Sequence, residues 1–175
     1  KANVTVKVAG GQTYEPIILD NSDAEYPSGI HVIAQGAKAK LKQRDDGLAI
    51  RVIKAEGLRI ENFEVDANGK DKAIEFVLGC PFATISKLSI SGYTKAGIYG
   101  SGLTGAKNSH VLVEDCEFRP GNDASSGILI EKGLSESIRF IMVERCRMIG
   151  PMKSGIEING PVVAIELREN IFHQT

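Results

Sequence analysis

The amino-acid sequence predicts an all-β chain wound as a single-stranded, right-handed parallel β-helix, a solenoid of about five to six coils with three short strands each. Three observations predict it. The pattern apolar-x-x-apolar-x-apolar recurs at Ile60-Phe63-Val65, Ile85-Leu88-Ile90, Val113-Cys116-Phe118, Val143-Cys146-Met148 and Leu167-Asn170-Phe172. A second unit, a small residue followed by alternating apolar positions, is interleaved with it. No window sustains apolar residues at helical spacing together with capping signals.

Copies of the first unit begin at residues 60, 85, 113, 143 and 167. A coil of that length cannot bury its apolar face alone, so coils must stack. Alternation with a period of two marks strands with one buried face. The two-residue gap breaks the alternation, since positions i and i+3 of one strand face opposite ways. Both point inward if the chain bends between them. Glu61-Asn62 and Glu114-Asp115 supply that bend, and Asn and Asp tolerate the left-handed backbone it needs.

The second unit reads as Gly29-Ile30-His31-Val32, Gly47-Leu48-Ala49-Ile50, Ala73-Ile74-Glu75-Phe76, Gly97-Ile98-Tyr99, Gly127-Ile128-Leu129-Ile130 and Gly155-Ile156-Glu157-Ile158. Turns fall at Ala67-Asn68-Gly69, Ser91-Gly92, Pro120-Gly121-Asn122-Asp123, Gly150-Pro151 and Asn159-Gly160-Pro161. Toward the N-terminus, Val4, Val6 and Val8 alternate as a strand, Ile17-Ile18-Leu19 reads as another, and residues 20–28 read as a polar loop. Residues 1–175 therefore form a single β-helix domain.

Composition narrows the partners. A net charge of −1 gives no electrostatic case for nucleic acid or an anionic membrane. No stretch of about 18 apolar residues is present, so no transmembrane helix is expected. Three cysteines are too few for a disulfide scaffold. Cys116 and Cys146 hold the same repeat position on consecutive coils and read as buried free thiols. The chain begins at Lys1 without a signal-peptide pattern and reads as a piece of a longer protein.

The runs Val113-Glu114-Asp115-Cys116-Glu117-Phe118 and Ser126-Gly127-Ile128-Leu129-Ile130 resemble coils of the pectin-lyase-like β-helix superfamily. The resemblance is closest to bacterial right-handed β-helix region domains, some of which are appended to serine/threonine kinases or to large surface and secreted proteins. That superfamily holds lyases, hydrolases, esterases and non-catalytic modules, so the likeness carries the fold more than any activity. An extracellular or cell-surface parent protein is one implication; a sensor or scaffold role beside a kinase is another.

The motifs of those enzymes are missing. The hydrolase motifs Asn-Thr-Asp, Gly-His-Gly and Arg-Ile-Lys are not found, nor is the pectate lyase Arg-x-Pro-x-x-Arg pattern. Asp45-Asp46 reads as a solvated turn rather than an acid pair. Asp66-Ala67-Asn68-Gly69 lacks the spacing of a calcium loop. His31, His110 and His173 share no column, which argues against zinc, and Ser109-His110 has no acid placed to complete a triad. No catalytic residue, metal or cofactor is expected.

One outward column remains: His31, Ala49, Glu75, Tyr99, Leu129 and Glu157. Lys95 and Lys153 share a register just upstream of it. Phe63, Phe76, Phe118 and Phe172 read as inward, leaving Tyr14, Tyr26, Tyr93 and Tyr99 as aromatic platforms. The candidate ligand-binding residues are thus Tyr99, Lys95, Lys153, Glu75, Glu157 and Tyr93. An ordinary charged sheet face is the plain alternative. The expected function is a non-catalytic binding or interaction module for polysaccharide or protein. A lyase or hydrolase of acidic polysaccharide is the alternative, on fold analogy. Ile165, Leu167 and Phe172 should lie on a bare last coil, which predicts further coils or self-association there.

Overall fold

The computed structural model describes residues 4–20, 28–45, 48–77, 80–101, 110–123, 125–131, 138–160 and 162–173, with the backbone alone for Ile138, Arg139 and Val162. Among these residues every regular element is a strand, and all pairings are parallel. The first sheet stacks β1 (Val4–Ala9), β4 (Ile30–Gln35), β7 (Arg59–Glu61), β10 (Ala83–Ser86), β13 (His110–Glu114), β16 (Ile138–Glu144) and β19 (Val162–Arg168). The second stacks β2 (Thr13–Tyr14), β5 (Ala39–Leu41), β8 (Phe63–Asp66), β11 (Ser89–Ser91), β14 (Glu117–Arg119), β17 (Arg147–Ile149) and β20 (Ile171–His173). The third stacks β3 (Ile17–Asp20), β6 (Ile50–Ile53), β9 (Lys72–Val77), β12 (Ala96–Ser101), β15 (Ser126–Glu131) and β18 (Ser154–Asn159). The chain visits the sheets in turn, one strand each per coil. This is the parallel β-solenoid that the repeat predicts.

The repeat positions stack in register. Ile60, Ile85, Val113, Val143 and Leu167 form one inward column of the first sheet, and Val6 and Val32 continue it. Ile17, Ile50, Ile74, Ile98, Ile128 and Ile156 form the matching column of the third. Each fully buried isoleucine contributes about 1.5–3 kcal/mol relative to exposure. The periodic pattern fades before residue 60 because the corner between the first two sheets is wider there. Ala39 follows Val32 across residues 33–38, whereas Phe63 follows Ile60 across Glu61-Asn62 alone.

The bend between the first and second sheets is left-handed on five successive coils, at Asn62 (φ 70°), Lys87 (57°), Asp115 (54°), Arg145 (50°) and Glu169 (52°). The bend thus accepts Lys, Arg and Glu as well as Asn and Asp. Each such residue costs about 1–2 kcal/mol, offset by burying its successor: Phe63, Leu88, Cys116 and Cys146 are all buried. Asn170, the polar member of that column, is satisfied by backbone. Its Nδ2 donates to Val143 O at 2.8 Å, and its Oδ1 accepts from Cys146 N–H at 2.9 Å.

The register corrects two assignments in the outward column. His31 lies in the first sheet, beside Thr5 and Arg59. Ile50, not Leu48, stacks on Ile74, so Arg51 takes the place expected for Ala49. The outward column of the third sheet is Ile18, Arg51, Glu75, Tyr99, Leu129 and Glu157. The His31 slip arises because a small residue before alternating apolar residues also describes the start of a first-sheet strand, and the Ala49 slip because Leu48-Ala49-Ile50 and Ile50-Arg51-Val52 alternate alike two residues apart. Tyr26, Asp46, Gly47, Ser109 and Pro161 lie outside the described residues.

A size match closes the interior. A methyl group on Gly127 would sit 2.6 Å from Gly155 O and 2.8 Å from Met148 Sδ. On Gly155 it would sit 2.1 Å from the Phe172 ring, and on Gly97 2.9 Å from that of Phe118. Each of these three glycines therefore makes room for the large second-sheet residue of the following coil.

Candidate functional site

Five of the six residues singled out from sequence share the outer face of the third sheet. Glu75, Tyr99 and Glu157 stand in one column, on β9, β12 and β18. Lys95 and Lys153 immediately precede β12 and β18, in matching register two coils apart. At about 4.8 Å per coil, two coils span roughly 10 Å.

These side chains form two networks. In the first, Lys72 Nζ lies 3.7 Å and Lys95 Nζ 4.9 Å from the centroid of the Tyr99 ring, a pair of cation–π contacts. The Tyr99 hydroxyl donates to Glu131, whose other oxygen lies 3.7 Å from Lys95 Nζ. Lys72 also donates to Glu75 at 2.8 Å, and Arg51 reaches Glu75 at 3.2 Å. Tyr99 is buried, forming a small cluster with Ala96 and Leu129 apart from the main core. Burial, followed by the hydrogen bond to the Glu131 carboxylate, pushes its hydroxyl up to about 12.

In the second network Glu157 accepts from Lys153 Nζ at 2.8 Å, Ser126 Oγ at 2.7 Å and Asn159 Nδ2 at 3.3 Å. The Lys153 hydrogen bond leads these three in holding the Glu157 carboxyl down at about 2. The cations stand outermost. The Lys153 side chain is 60% exposed against 19% for Glu157, and Arg51 36% against 12% for Glu75.

Tyr93 does not join this face. It is fully buried in the core, and its hydroxyl has no hydrogen-bond partner. Burial raises it above the usual tyrosine range. The small residues around it admit it there, since its ring packs against Gly97. Tyr14 is also engaged: its hydroxyl accepts from Ala9 N–H at 3.0 Å and donates to Ala9 O at 3.1 Å. Phe172 points inward against Gly155 as expected, but lies on the last described coil and is 55% exposed.

Two features were missed in the sequence. Lys72, Arg51 and Glu131 belong to the same face, and β pairing rather than spacing along the chain brings them in. Phe82, His110 and Phe140 form an aromatic column on the outer face of the first sheet, with Phe82 and His110 stacked at 5.5 Å and 7°. Each directly precedes an inward apolar residue (Ala83, Val111, Ile141), a signal that period-two alternation would have caught.

Among the described residues no group of three or more His, Cys, Asp or Glu side chains could hold a metal ion. Among the described residues no helix is long and apolar enough to cross a membrane. Comparison of the chain with family models, with curated proteins and with solved structures finds no match.

Proposed function

We propose that this β-solenoid is a non-catalytic binding module that takes an acidic polysaccharide laid along the solenoid axis on the outer face of its third sheet. One observation carries the reading: in the ion pairs of this face the cation is the outer partner and the carboxylate lies beneath it. A chain of uronate sugars presents carboxylates at intervals comparable to the coil spacing. Lys95, Lys153 and Arg51 can exchange or share their own carboxylates for those of the ligand. Of these, the Lys95–Glu131 pair is the one with both partners well exposed, so its exchange costs least. The Tyr99 ring, clamped between two ammonium groups, fixes where those charges stand.

Titration calorimetry with polygalacturonate and with a neutral glucan tests the proposal. Polygalacturonate should bind, the neutral chain should not, and affinity should fall as salt rises. Lys95→Ala with Lys153→Ala should weaken binding about tenfold or more, corresponding to roughly 1.4 kcal/mol. Equal affinity for both polymers, or an undiminished double variant, would remove the site from this face. Formation of unsaturated uronate products, followed by ultraviolet absorbance, would replace the binding reading with a lyase.

A further inference from the structure

We infer that the outer face of the first sheet carries a second, independent site: a groove that docks an extended peptide segment through its apolar side chains. Two outward columns build it. The first runs Gly29, Gly57, Phe82, His110, Phe140, Ala164, and the second runs Thr5, His31, Arg59, Thr84, Leu112, Met142, Glu166. Phe82, His110, Phe140, Thr84, Leu112 and Met142 line a groove of about 240 Å³.

The apolar character is bounded. It covers three consecutive coils and stops at a cation, Arg59, on one side and a carboxylate, Glu166, on the other. An apolar centre inside a charged rim is the anatomy of a protein interface. Methionine beside aromatic rings gives a surface that adapts to different apolar side chains. Few hydrogen-bonding groups line the groove, which favours a peptide's apolar side chains over a sugar chain. The rim charges favour an acidic residue near Arg59 and a basic one near Glu166. The present partners, Glu61 for Arg59 and Arg168 for Glu166, are surface pairs that can rearrange.

Phe82 is the more exposed of the two phenylalanines in its column. Its backbone is left-handed (φ 59°), as are those of its column neighbours Gly29 (80°) and Gly57 (67°). The corner asks for glycine, and two coils supply it. The next coil places a bulky aromatic there, a rare combination, and leaves it 48% exposed.

The test is selection of displayed random peptides on the 175-residue protein, with counter-selection against Phe82→Gly. Enriched peptides should carry alternating apolar residues between an acidic and a basic end. Their synthetic copies should bind the protein about tenfold more tightly than they bind Phe82→Gly or Leu112→Lys. Phe82→Gly should melt no lower than the parent, because glycine relieves the backbone. Polygalacturonate binding should be unchanged in both variants, which separates this site from that of the third sheet. The inference is overturned if no peptide is enriched, if enriched peptides bind the variants equally, or if Phe82→Gly melts clearly lower. Loss of glycan rather than peptide binding in Phe82→Gly would assign the groove to carbohydrate instead.

Discussion

At the scale of single residues, burial and pairing decide the chemistry. Cys80, Cys116 and Cys146 are free and buried. Burial pushes Cys80 up to about 11 and Cys116 well above the usual thiol range. Burial alone keeps a reagent from all three, so they should resist a maleimide at neutral pH and react at the rate of global unfolding, as read by mass spectrometry. Rapid native labelling of Cys116 and Cys146 would mean that their column faces solvent. Glu157 gives a pH signature. Its carboxyl falls from 4.5 to about 2 on folding, so its stabilisation is present above about 4.5 and lost as pH drops toward 2. Melting temperatures of Glu157→Gln and the parent should thus differ at pH 7 and converge near pH 2; a constant difference would show that Glu157 acts through packing alone. The thiol column was legible in the sequence, because a repeat position fixes which way a side chain points. Burial of Tyr93 was not, because it depends on the small residues of the adjoining coil.

At the scale of elements, register is everything. Ile128 is a fully buried member of a six-residue inward column. Ile128→Asp would bury an unpaired charge and should unfold the protein, whereas Ile128→Val should cost about 0.5–1.5 kcal/mol in urea denaturation. A soluble Ile128→Asp protein with unchanged melting would refute the register. Gly127→Val should also destabilise, by about 1–3 kcal/mol or more, since the Gly155 carbonyl cannot retreat without breaking the sheet. The five-fold motif from Ile60 to Phe172 was enough to read three-stranded coils and their stacking. It failed at His31, where the local pattern fitted two sheets equally well, and at Ala49, where the alternation allowed a slip of two residues along one strand. The cation-rich half of the third-sheet face was hidden for a related reason. Lys72 and Glu131 meet Tyr99, and Arg51 meets Glu75, across coils, at separations that no local spacing encodes.

At the scale of the whole molecule, the two ends of the stack differ from its middle. Val163, Ile165, Leu167, Ile171 and Phe172 are exposed on the last described coil, and Val4, Val6 and Ile18 on the first. Parallel strands at these ends offer unpaired backbone beside apolar side chains. The 175-residue chain should therefore self-associate with rising concentration in light scattering, and Val163→Lys with Leu167→Lys should return it to a monomer without lowering its melting point. A parent chain that stays monomeric at every concentration would exclude pairing through this coil. The glycine columns bear on how such a stack can lengthen or shorten. Gly97 serves Phe118, Gly127 serves Met148 and Gly155 serves Phe172, always one coil ahead. The heritable module is therefore not one coil cut at the corner after the third sheet, since that cut separates each cavity from the side chain that fills it. A viable duplication or graft would run from the third-sheet strand of one coil through the second-sheet strand of the next, carrying lock and key together.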